Sequence, residues 1–206
     1  MHLLLIRHGE TDWNTAFRIQ GRTDTPLNAR GLAQAERLSE RLAAEEQADV
    51  LYTSPLVRAC VTAEKIGQKL GLSPITDERL AEQNFGELEG LTFRDIEQGY
   101  PDFFRRWRET KRQLALPGGE TIAEFQCRVQ AFLNQVSEAH PDKSVLVVTH
   151  GGTLRVILVT LLGLDIDRRW PFAFDNTSLS KVEWSGSRVD IRSINDTCHL
   201  RDGHIE

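Results

Sequence analysis

A chain of 206 residues that is 40% hydrophobic and 27% charged is long enough to bury the core of one globular domain. This composition excludes a disordered or fibrous protein, and a formal net charge of −5 excludes an overall cationic surface for nucleic acid or an anionic membrane. The longest apolar runs, at residues 3–6 and 145–148, are far shorter than the ~20 residues that span a bilayer. Charged residues follow the first run at once, which does not fit a secretory signal, and we therefore predict a cytoplasmic protein.

Three apolar runs have the length and the neighbours of buried parallel strands. They lie at residues 3–6, 50–52 and 145–148, and a segment with helical spacing follows each of them. Strands that alternate with helices are typical of α/β proteins with a mostly parallel central sheet. We therefore predict a three-layer α/β/α sandwich, formed by a single domain over residues 1–206.

Capping residues place two helices in the first half of the chain. Asn28 precedes a segment in which apolar residues recur at three- and four-residue steps as far as Leu42, which predicts a helix capped by Asn28. Ser54 and Pro55 form a cap and first-turn pair, so a second helix is predicted from Pro55 to about residue 70, with Gly71 as its stop.

The pattern weakens after residue 79, where glycines interrupt it. A helix-like stretch at residues 100–112 combines aromatic and cationic side chains, and we predict that residues 91–119 or thereabouts form a short helical cap inserted over one end of the sheet. A helix over residues 121–139 leads to the strand near residue 145, and two late strands are predicted near residues 179–184 and 189–194. The last of these is the candidate edge strand for a homodimer.

The ends of the three predicted parallel strands carry residues that suit a bound phosphate. The first strand ends in Arg7 and His8, the second is followed one helical turn later by Arg58, and the third ends in His150 before two glycines. In open α/β sheets, ligands bind at the carboxyl ends of the strands. Arginine forks match phosphate oxygens, and a helix N-terminus adds N–H donors. The pattern predicts a phosphate pocket in which one histidine is a nucleophile and the other donates a hydrogen bond to the phosphate.

Cleavage of a phosphomonoester also requires an acid for the leaving oxygen and a base for the attacking water. One carboxyl group can serve in both steps. The carboxylates predicted near this edge are Glu10, Glu82, Glu87 and Glu89, and their spacing alone does not choose among them.

Five short segments along the chain form a combined signature. They are Leu5-Ile6-Arg7-His8-Gly9-Glu10-Thr11, Ser54-Pro55-Leu56-Val57-Arg58-Ala59, Leu80-Ala81-Glu82, Gly118-Gly119-Glu120 and Thr149-His150-Gly151-Gly152. Together they resemble the motifs of the histidine phosphatase superfamily, which includes the cofactor-dependent phosphoglycerate mutases. The resemblance covers residues 1 to about 160 in order.

The resemblance implies a role for each matching residue. It makes His8 the phosphorylated nucleophile and Glu82 the proton donor and later the base. No metal ion or cofactor is implied, because cationic side chains neutralise the phosphoryl charge. The other residues that the resemblance places on the phosphoryl group or the substrate are Arg7, Asn14, Thr23, Arg58, His150 and Gly151.

Two further regions bear on the choice of substrate. Arg105 and Arg106 lie in the predicted cap, where the family selects its substrates, and we predict that they meet a remote anionic group of the substrate. The segment over residues 174–200 is similar to the tail of metal-independent phosphoserine phosphatases. This similarity predicts that His199 or the tail closes over the pocket.

The resemblance leaves two reactions and one non-catalytic role open. The same His8 and Glu82 serve a phosphatase and a phosphoglycerate mutase, but the short segment between Glu82 and Glu120 and the short tail favour water as the acceptor. If the protein were a non-catalytic phosphate-binding interaction module, we would expect at least one catalytic residue to be missing. All the residues that the resemblance makes catalytic are present. We therefore predict a metal-independent phosphatase that acts on a small phosphomonoester, with phosphoserine as the favoured substrate.

Overall fold

The computed structural model describes residues 1–109, 115–167, 172–186 and 188–201. Its sheet has six strands: β1 (His2–Arg7), β2 (Val50–Thr53), β3 (Ile75–Thr76), β4 (Ser144–Thr149), β5 (Leu179–Ser185) and β6 (Arg188–Asp196). The order across the sheet is β3-β2-β4-β1-β5-β6. The neighbouring pairs β3–β2, β2–β4 and β4–β1 are parallel, whereas β5 is antiparallel to β1 and β6 is antiparallel to β5. The predicted, mostly parallel sheet is confirmed.

Helices connect most of the strands. In the described ranges they are α1 (Asp12–Thr15), α2 (Ala29–Glu45), α3 (Val57–Leu70), α4 (Phe93–Gly99), α5 (Pro101–Glu109), α6 (Ile122–Ala139) and α7 (Gly151–Leu161). None of these helices is long and apolar enough to cross a membrane.

Alternate residues of the central strands face two different helical layers, because side chains of a strand point to opposite faces in turn. In β1, Leu3 and Leu5 belong to the core cluster that contains the apolar residues of α6 and α7. Leu4 and Ile6 belong to the cluster that contains those of α2 and α3. This alternation produces the predicted three-layer α/β/α sandwich.

The start of α2 is confirmed, but the predicted start of α3 is wrong by two residues. Asn28 Oδ1 accepts from the Gly31 backbone N–H (2.8 Å), as expected of an N-cap. The Ser54 hydroxyl accepts from the Leu56 N–H (3.3 Å) and lies 2.7 Å from His150 Nε2, whereas the Val57 N–H that begins α3 donates to Asp24 Oδ1 (2.7 Å). The acceptor for the first N–H of α3 is therefore supplied by a residue distant in sequence, which local pattern does not predict.

A small third core lies under α4 and α5, in the segment predicted as a cap. It contains Leu88, Ile96 and Leu116, which are buried. The Trp107 ring contacts the rings of Phe93, Phe103 and Phe104, with centroids 5.8, 6.0 and 6.4 Å away. Aromatic packing therefore anchors α5, as is usual for large rings that bury much of their surface.

The two edge strands of the sheet differ in length. The two-residue β3, which the sequence does not predict, forms one edge and the nine-residue β6 forms the other. An edge strand exposes unpaired backbone groups. The homodimer through this strand stays a prediction.

Candidate active site

The ends of β1, β2 and β4 bring two histidines and an arginine together. His8 and His150 follow adjacent parallel strands, and their ring centroids are 5.1 Å apart. Arg58 lies in the first turn of α3, and its Nε donates to His150 Nδ1 (3.2 Å). The exposed fractions of His8, Arg58 and His150 are only 3, 1 and 0%. These groups meet at the carboxyl edge of the sheet, where the sequence places the pocket.

The His8 ring has a defined tautomer. Its Nδ1 lies 2.7 Å from the Gly9 carbonyl oxygen, which can only accept, so Nδ1 carries the proton. Burial, together with the positive charges of Arg58 and Arg7, holds the pKa of His8 well below its usual value, and the ring is neutral. The lone pair is therefore on Nε2, to which no described residue is hydrogen-bonded. This is the form of imidazole that attacks phosphorus.

Arg58 is held by the backbone of the loop before α2. Its Nη1 donates to the Thr23 carbonyl (2.9 Å) and its Nη2 to the Gly21 carbonyl (2.7 Å). Burial lowers the pKa of Arg58 to about 10, while the negative charge of Glu82 opposes this shift. The guanidinium is therefore still charged at neutral pH and is fixed in orientation beside His8 and His150.

His150 uses both ring nitrogens within the protein. Because Arg58 Nε only donates, His150 Nδ1 must accept, and the proton of the neutral ring is on Nε2. That Nε2–H donates to Ser54 Oγ (2.7 Å). Burial lowers the pKa of His150 well below its usual value, in agreement with a neutral ring. In this arrangement His150 orients Arg58, and its contact with the phosphoryl group stays a prediction. From the sequence, Ser54 is predicted only as a helix cap.

Arg7 has a buried donor with no partner among the described residues. Its Nη1 donates to the Phe174 carbonyl (2.6 Å), whereas its Nε is buried and unpaired. A buried N–H without an acceptor is unfavourable by ~1–3 kcal/mol. A Cβ added at Gly151 would lie 3.6 Å from Arg7 Nε, so this donor faces the N-terminus of α7. An anion at that point would accept hydrogen bonds both from Arg7 Nε and from the backbone N–H groups at the N-terminus of α7.

Glu82 lies at the same helix N-terminus. Its Oε2 accepts from the Gly152 N–H and its Oε1 from the Gln83 N–H, both at 2.9 Å. Its negative charge is the strongest influence that raises the pKa of both Arg7 and Arg58, so the carboxylate faces both guanidinium groups. Glu82 is therefore placed beside the groups that would hold a phosphoryl.

The other three candidate carboxylates have different environments. Glu89 accepts from the backbone N–H groups of Arg22, Thr23 and Phe85 and from the Thr23 hydroxyl. Glu10 accepts from Asn28 Nδ2 (3.1 Å) and pairs with Arg30 (3.3 Å). Glu87 is exposed. The geometry thus favours Glu82 over these three.

The segment that carries Glu82 is held by residues to which the sequence pattern assigns no role. Thr149 Oγ1 donates to the Leu80 carbonyl (2.6 Å) and Thr153 Oγ1 to the Ala81 carbonyl (3.1 Å). Arg128 donates to the carbonyls of Ala81 (2.7 Å) and Glu82 (3.0 Å).

Arg128 is in turn fixed by Glu120, whose two carboxylate oxygens accept from it at 2.7 and 2.9 Å. The sequence signal for this role is weak. Arg128 lies three residues after Phe125 and interrupts the apolar face of α6, and its guanidinium lies over the Phe125 ring.

Comparison with known proteins identifies the family. Residues 3–197 match the sequence model of the histidine phosphatase superfamily (branch 1). The chain belongs to this superfamily. Phosphoserine phosphatase 1 of Hydrogenobacter thermophilus is 37% identical over 204 residues, which cover 99% of this chain and 96% of the relative. The predicted family is therefore confirmed, and the protein is a phosphomonoester hydrolase of the histidine phosphatase type.

Solved structures confirm the fold of this histidine phosphatase. The α-ribazole phosphatase from Shigella flexneri has a TM-score of 0.86 at 31% identity, covering 96% of this chain and 97% of that one. A histidine-to-alanine variant of phosphoserine phosphatase from Entamoeba histolytica, in complex with phosphoserine, has a TM-score of 0.85 at 28% identity. That comparison covers 97% of this chain and 99% of the other.

Asn14 and Thr23 differ in which of their groups is available to the site. Asn14 Oδ1 accepts from Thr11 N (3.0 Å) and from Asn176 Nδ2 (3.3 Å), and Asn176 Nδ2 also donates to the His8 carbonyl (3.0 Å). With its oxygen occupied, the Asn14 amide N–H groups are left to act as donors. The Thr23 hydroxyl donates to Glu89 (2.6 Å), so Thr23 acts on the site through its carbonyl, which holds Arg58. Their predicted contacts with substrate stay predictions.

The predicted substrate contacts of the two cap arginines and of the tail histidine stay predictions. Arg105 and Arg106 are on the exposed surface of α5, and Arg105 Nη2 donates to Asp102 (2.8 Å). His199 Nε2 donates to Thr177 Oγ1 (3.2 Å), and the Thr177 backbone N–H donates to the Arg7 carbonyl at the end of β1 (3.0 Å). Burial lowers the pKa of His199 to about 4. Through Thr177, the tail histidine is connected to the end of β1.

A concavity of about 770 Å³ lies at the other end of the parallel strands, where β1 and β4 begin. Its lining includes His2, Asp49, Ser144, Glu183 and Arg192 and none of the predicted catalytic residues. No described group of three or more His, Cys, Asp and Glu residues is placed to hold a metal ion. The absence of a metal requirement stays a prediction.

We expect Gly152→Ala to slow hydrolysis of an alkyl phosphate about 10- to 100-fold without loss of stability. A Cβ at this position would lie 2.2 Å from Glu82 Oε1, so the carboxylate must move. Alanine in a helix is otherwise favoured over glycine by ~0.5–1 kcal/mol. Steady-state rates and thermal melts of this variant and of Gly99→Ala, where nothing lies within 4 Å of an added Cβ, provide the comparison. Equal rates in the two variants would contradict the placement of Glu82.

We expect the stability of the protein to fall as the pH drops below about 6.5, by ~1.4 kcal/mol per pH unit for each buried neutral histidine. The pKa of His8 is lowered in the folded state, so below its ordinary value the unfolded chain binds the proton and the folded one does not. Urea denaturation between pH 5 and 7 measures this slope. In His8→Ala the slope should decrease by about the contribution of one histidine, and an unchanged slope would mean that His8 is charged when folded.

Proposed function

We propose that this histidine phosphatase hydrolyses a small phosphomonoester, with phosphoserine as the favoured substrate, through a phosphohistidine on His8. The observation that carries the proposal is the His8 tautomer: Nδ1 is held by the Gly9 carbonyl and Nε2 is free in a pocket with the unpaired Arg7 Nε. The relative from Hydrogenobacter and the phosphoserine-bound structure from Entamoeba support the choice of substrate.

The phosphoryl group would lie between Arg7, Arg58 and the N-terminus of α7. The two guanidinium groups and the Gly151 N–H stabilise the negative charge on the non-bridging oxygens, while charge develops on the bridging ester oxygen as it leaves. Because these groups are fixed by bonds to the backbone, little reorganisation is needed when substrate binds. The scheme contains no step that needs a metal ion.

In the first step, His8 Nε2 forms a bond to phosphorus while the ester P–O bond breaks. Glu82 enters this step in its carboxylic acid form, the form that the second step regenerates. From its position beside the Gly152 N–H it gives its proton to the leaving oxygen. In the second step, the Glu82 carboxylate takes a proton from water as the water oxygen bonds to phosphorus. The P–N bond then breaks, which releases inorganic phosphate and returns His8 and Glu82 to their starting states.

The alternative reaction is that of a cofactor-dependent phosphoglycerate mutase. Phosphate release should be measured in EDTA from phosphoserine, 3-phosphoglycerate, ribazole phosphate, sugar phosphates and an aryl phosphate, with isomerisation of phosphoglycerate followed in parallel. We expect release from phosphoserine far above the rest. Isomerisation without net release would replace this proposal by the mutase, and no turnover of any compound would contradict both reactions.

A further inference from the structure

A cavity of about 80 Å³ adjoins the proposed catalytic acid on the side of the cap. Its wall combines Gln83, Gly152 and Arg155 with the apolar side chains of Phe85, Trp107, Leu116, Ile122, Phe125 and Val156. Gln83 follows Glu82 in the chain, and Gly152 holds the Glu82 carboxylate, so the cavity begins where the leaving group of a substrate would lie. The cavity is larger than the ~30 Å³ that one water molecule takes up in the liquid, so it has room for a small substrate group such as a carboxylate.

Arg155 supplies the charge of this cavity. It lies one helical turn after Gly151, about 6 Å further along the axis of α7. Side chains of a helix lean toward its N-terminus, so the Arg155 side chain leans back toward the phosphoryl site. Its positive charge also contributes to lowering the pKa of Arg7, which is consistent with a position near the same pocket.

The guanidinium of Arg155 is oriented but not neutralised. Its Nε and Nη2 both donate to the Phe172 carbonyl, at 3.2 and 3.1 Å, which fixes the plane of the group. Among the residues that the structure describes, no carboxylate pairs with Arg155 and Nη1 has no acceptor. Arg128 and Arg41 differ from it, since each is paired with a carboxylate. A fixed fork with free donors in a cavity is suited to a carboxylate of a ligand.

We infer that Arg155 and this cavity form the subsite for a carboxylate group of the substrate, an inference that rests on the proposed function. The substrate class is then a phosphomonoester with a carboxylate a few bonds from the ester oxygen. With the phosphoryl at the N-terminus of α7, such a carboxylate reaches the next turn of the same helix. The anionic group is recognised by α7, whereas the sequence points to Arg105 and Arg106 of the exposed α5 surface.

The test compares O-phosphoserine with phosphoethanolamine, which differs only by the absence of the carboxylate. The variants are Arg155→Met, which keeps the length of the side chain without its charge, and Arg192→Met in the concavity at the other end of the parallel strands as the matched control. We expect the wild type to prefer phosphoserine in kcat/KM by at least about tenfold. In Arg155→Met this ratio should fall about 10- to 100-fold, mainly through the KM for phosphoserine, and in Arg192→Met it should not change.

A purely structural role of Arg155 through the Phe172 carbonyl predicts a different result, namely equal losses on both compounds. That result, or a wild-type ratio near one, would overturn the inference. If Arg155→Met does not fold, Arg155→Lys replaces it: lysine keeps the charge but loses the fork, and an unchanged ratio together with an unchanged KM would contradict the subsite. Label transfer to His8 from an aryl phosphate tests the proposed function separately, because that compound has no carboxylate.

Discussion

We expect His8→Ala to hydrolyse phosphomonoesters at least about 10⁴-fold more slowly than the wild type and to incorporate no label from a phosphorylated substrate. The physical reason is the lack of a second nucleophile. His150, the other histidine of the pocket, accepts at Nδ1 from Arg58 and donates at Nε2 to Ser54, so neither nitrogen has a free lone pair.

The measurement combines steady-state phosphate release with acid-sensitive labelling of the protein. Arg7, Arg58 and the N-terminus of α7 remain in the variant, so it should still bind phosphate. His2→Ala is a matched control because His2 is exposed at the other end of the parallel strands. Label that persists in His8→Ala, with rates within tenfold of the wild type, would remove His8 from the mechanism.

The sequence predicts the part of the fold that depends on local pattern. Buried runs such as that of β1 alternate between two faces, and Asn28 caps α2 through its own side chain, so these features are written in neighbouring residues. The two-residue β3 is exposed and has no apolar signal of its own. The start of α3 depends on Asp24, which is more than thirty residues away.

The residues of the candidate site also divide into those that local sequence pattern predicts and those that depend on the folded chain. Strand ends and glycines place His8, Arg58 and His150 at one edge, because the carboxyl ends of parallel strands coincide. The choice of Glu82 over its neighbours needs the family resemblance, since only the folded chain brings it to Gly152. The inferred role of Arg155 is predictable by neither means, because it depends on hydrogen bonds to the distant Phe172 carbonyl and on a cavity whose wall includes Trp107.

We expect Glu82→Gln to slow the first turnover of an alkyl phosphate by about 10³-fold and that of an aryl phosphate by less than about tenfold. An alkoxide is a poor leaving group and needs the proton that the glutamine cannot give, whereas a nitrophenolate leaves without it. The second step still lacks its base for either substrate. With the aryl phosphate, the variant should therefore release one equivalent of phenol rapidly and then accumulate the phosphohistidine.

Rapid-mixing measurement of phenol release, with labelled phosphoenzyme counted in the same samples, separates the two steps. Glu87→Gln is the matched control, because Glu87 is an exposed carboxylate in the same segment and was a candidate by spacing alone. Glutamine also brings an amide N–H toward the N–H groups of Gln83 and Gly152, so some loss through altered position is expected with both substrates. Equal losses on the alkyl and aryl phosphates would mean that Glu82 acts by position alone, and the proton would then have to come from another group.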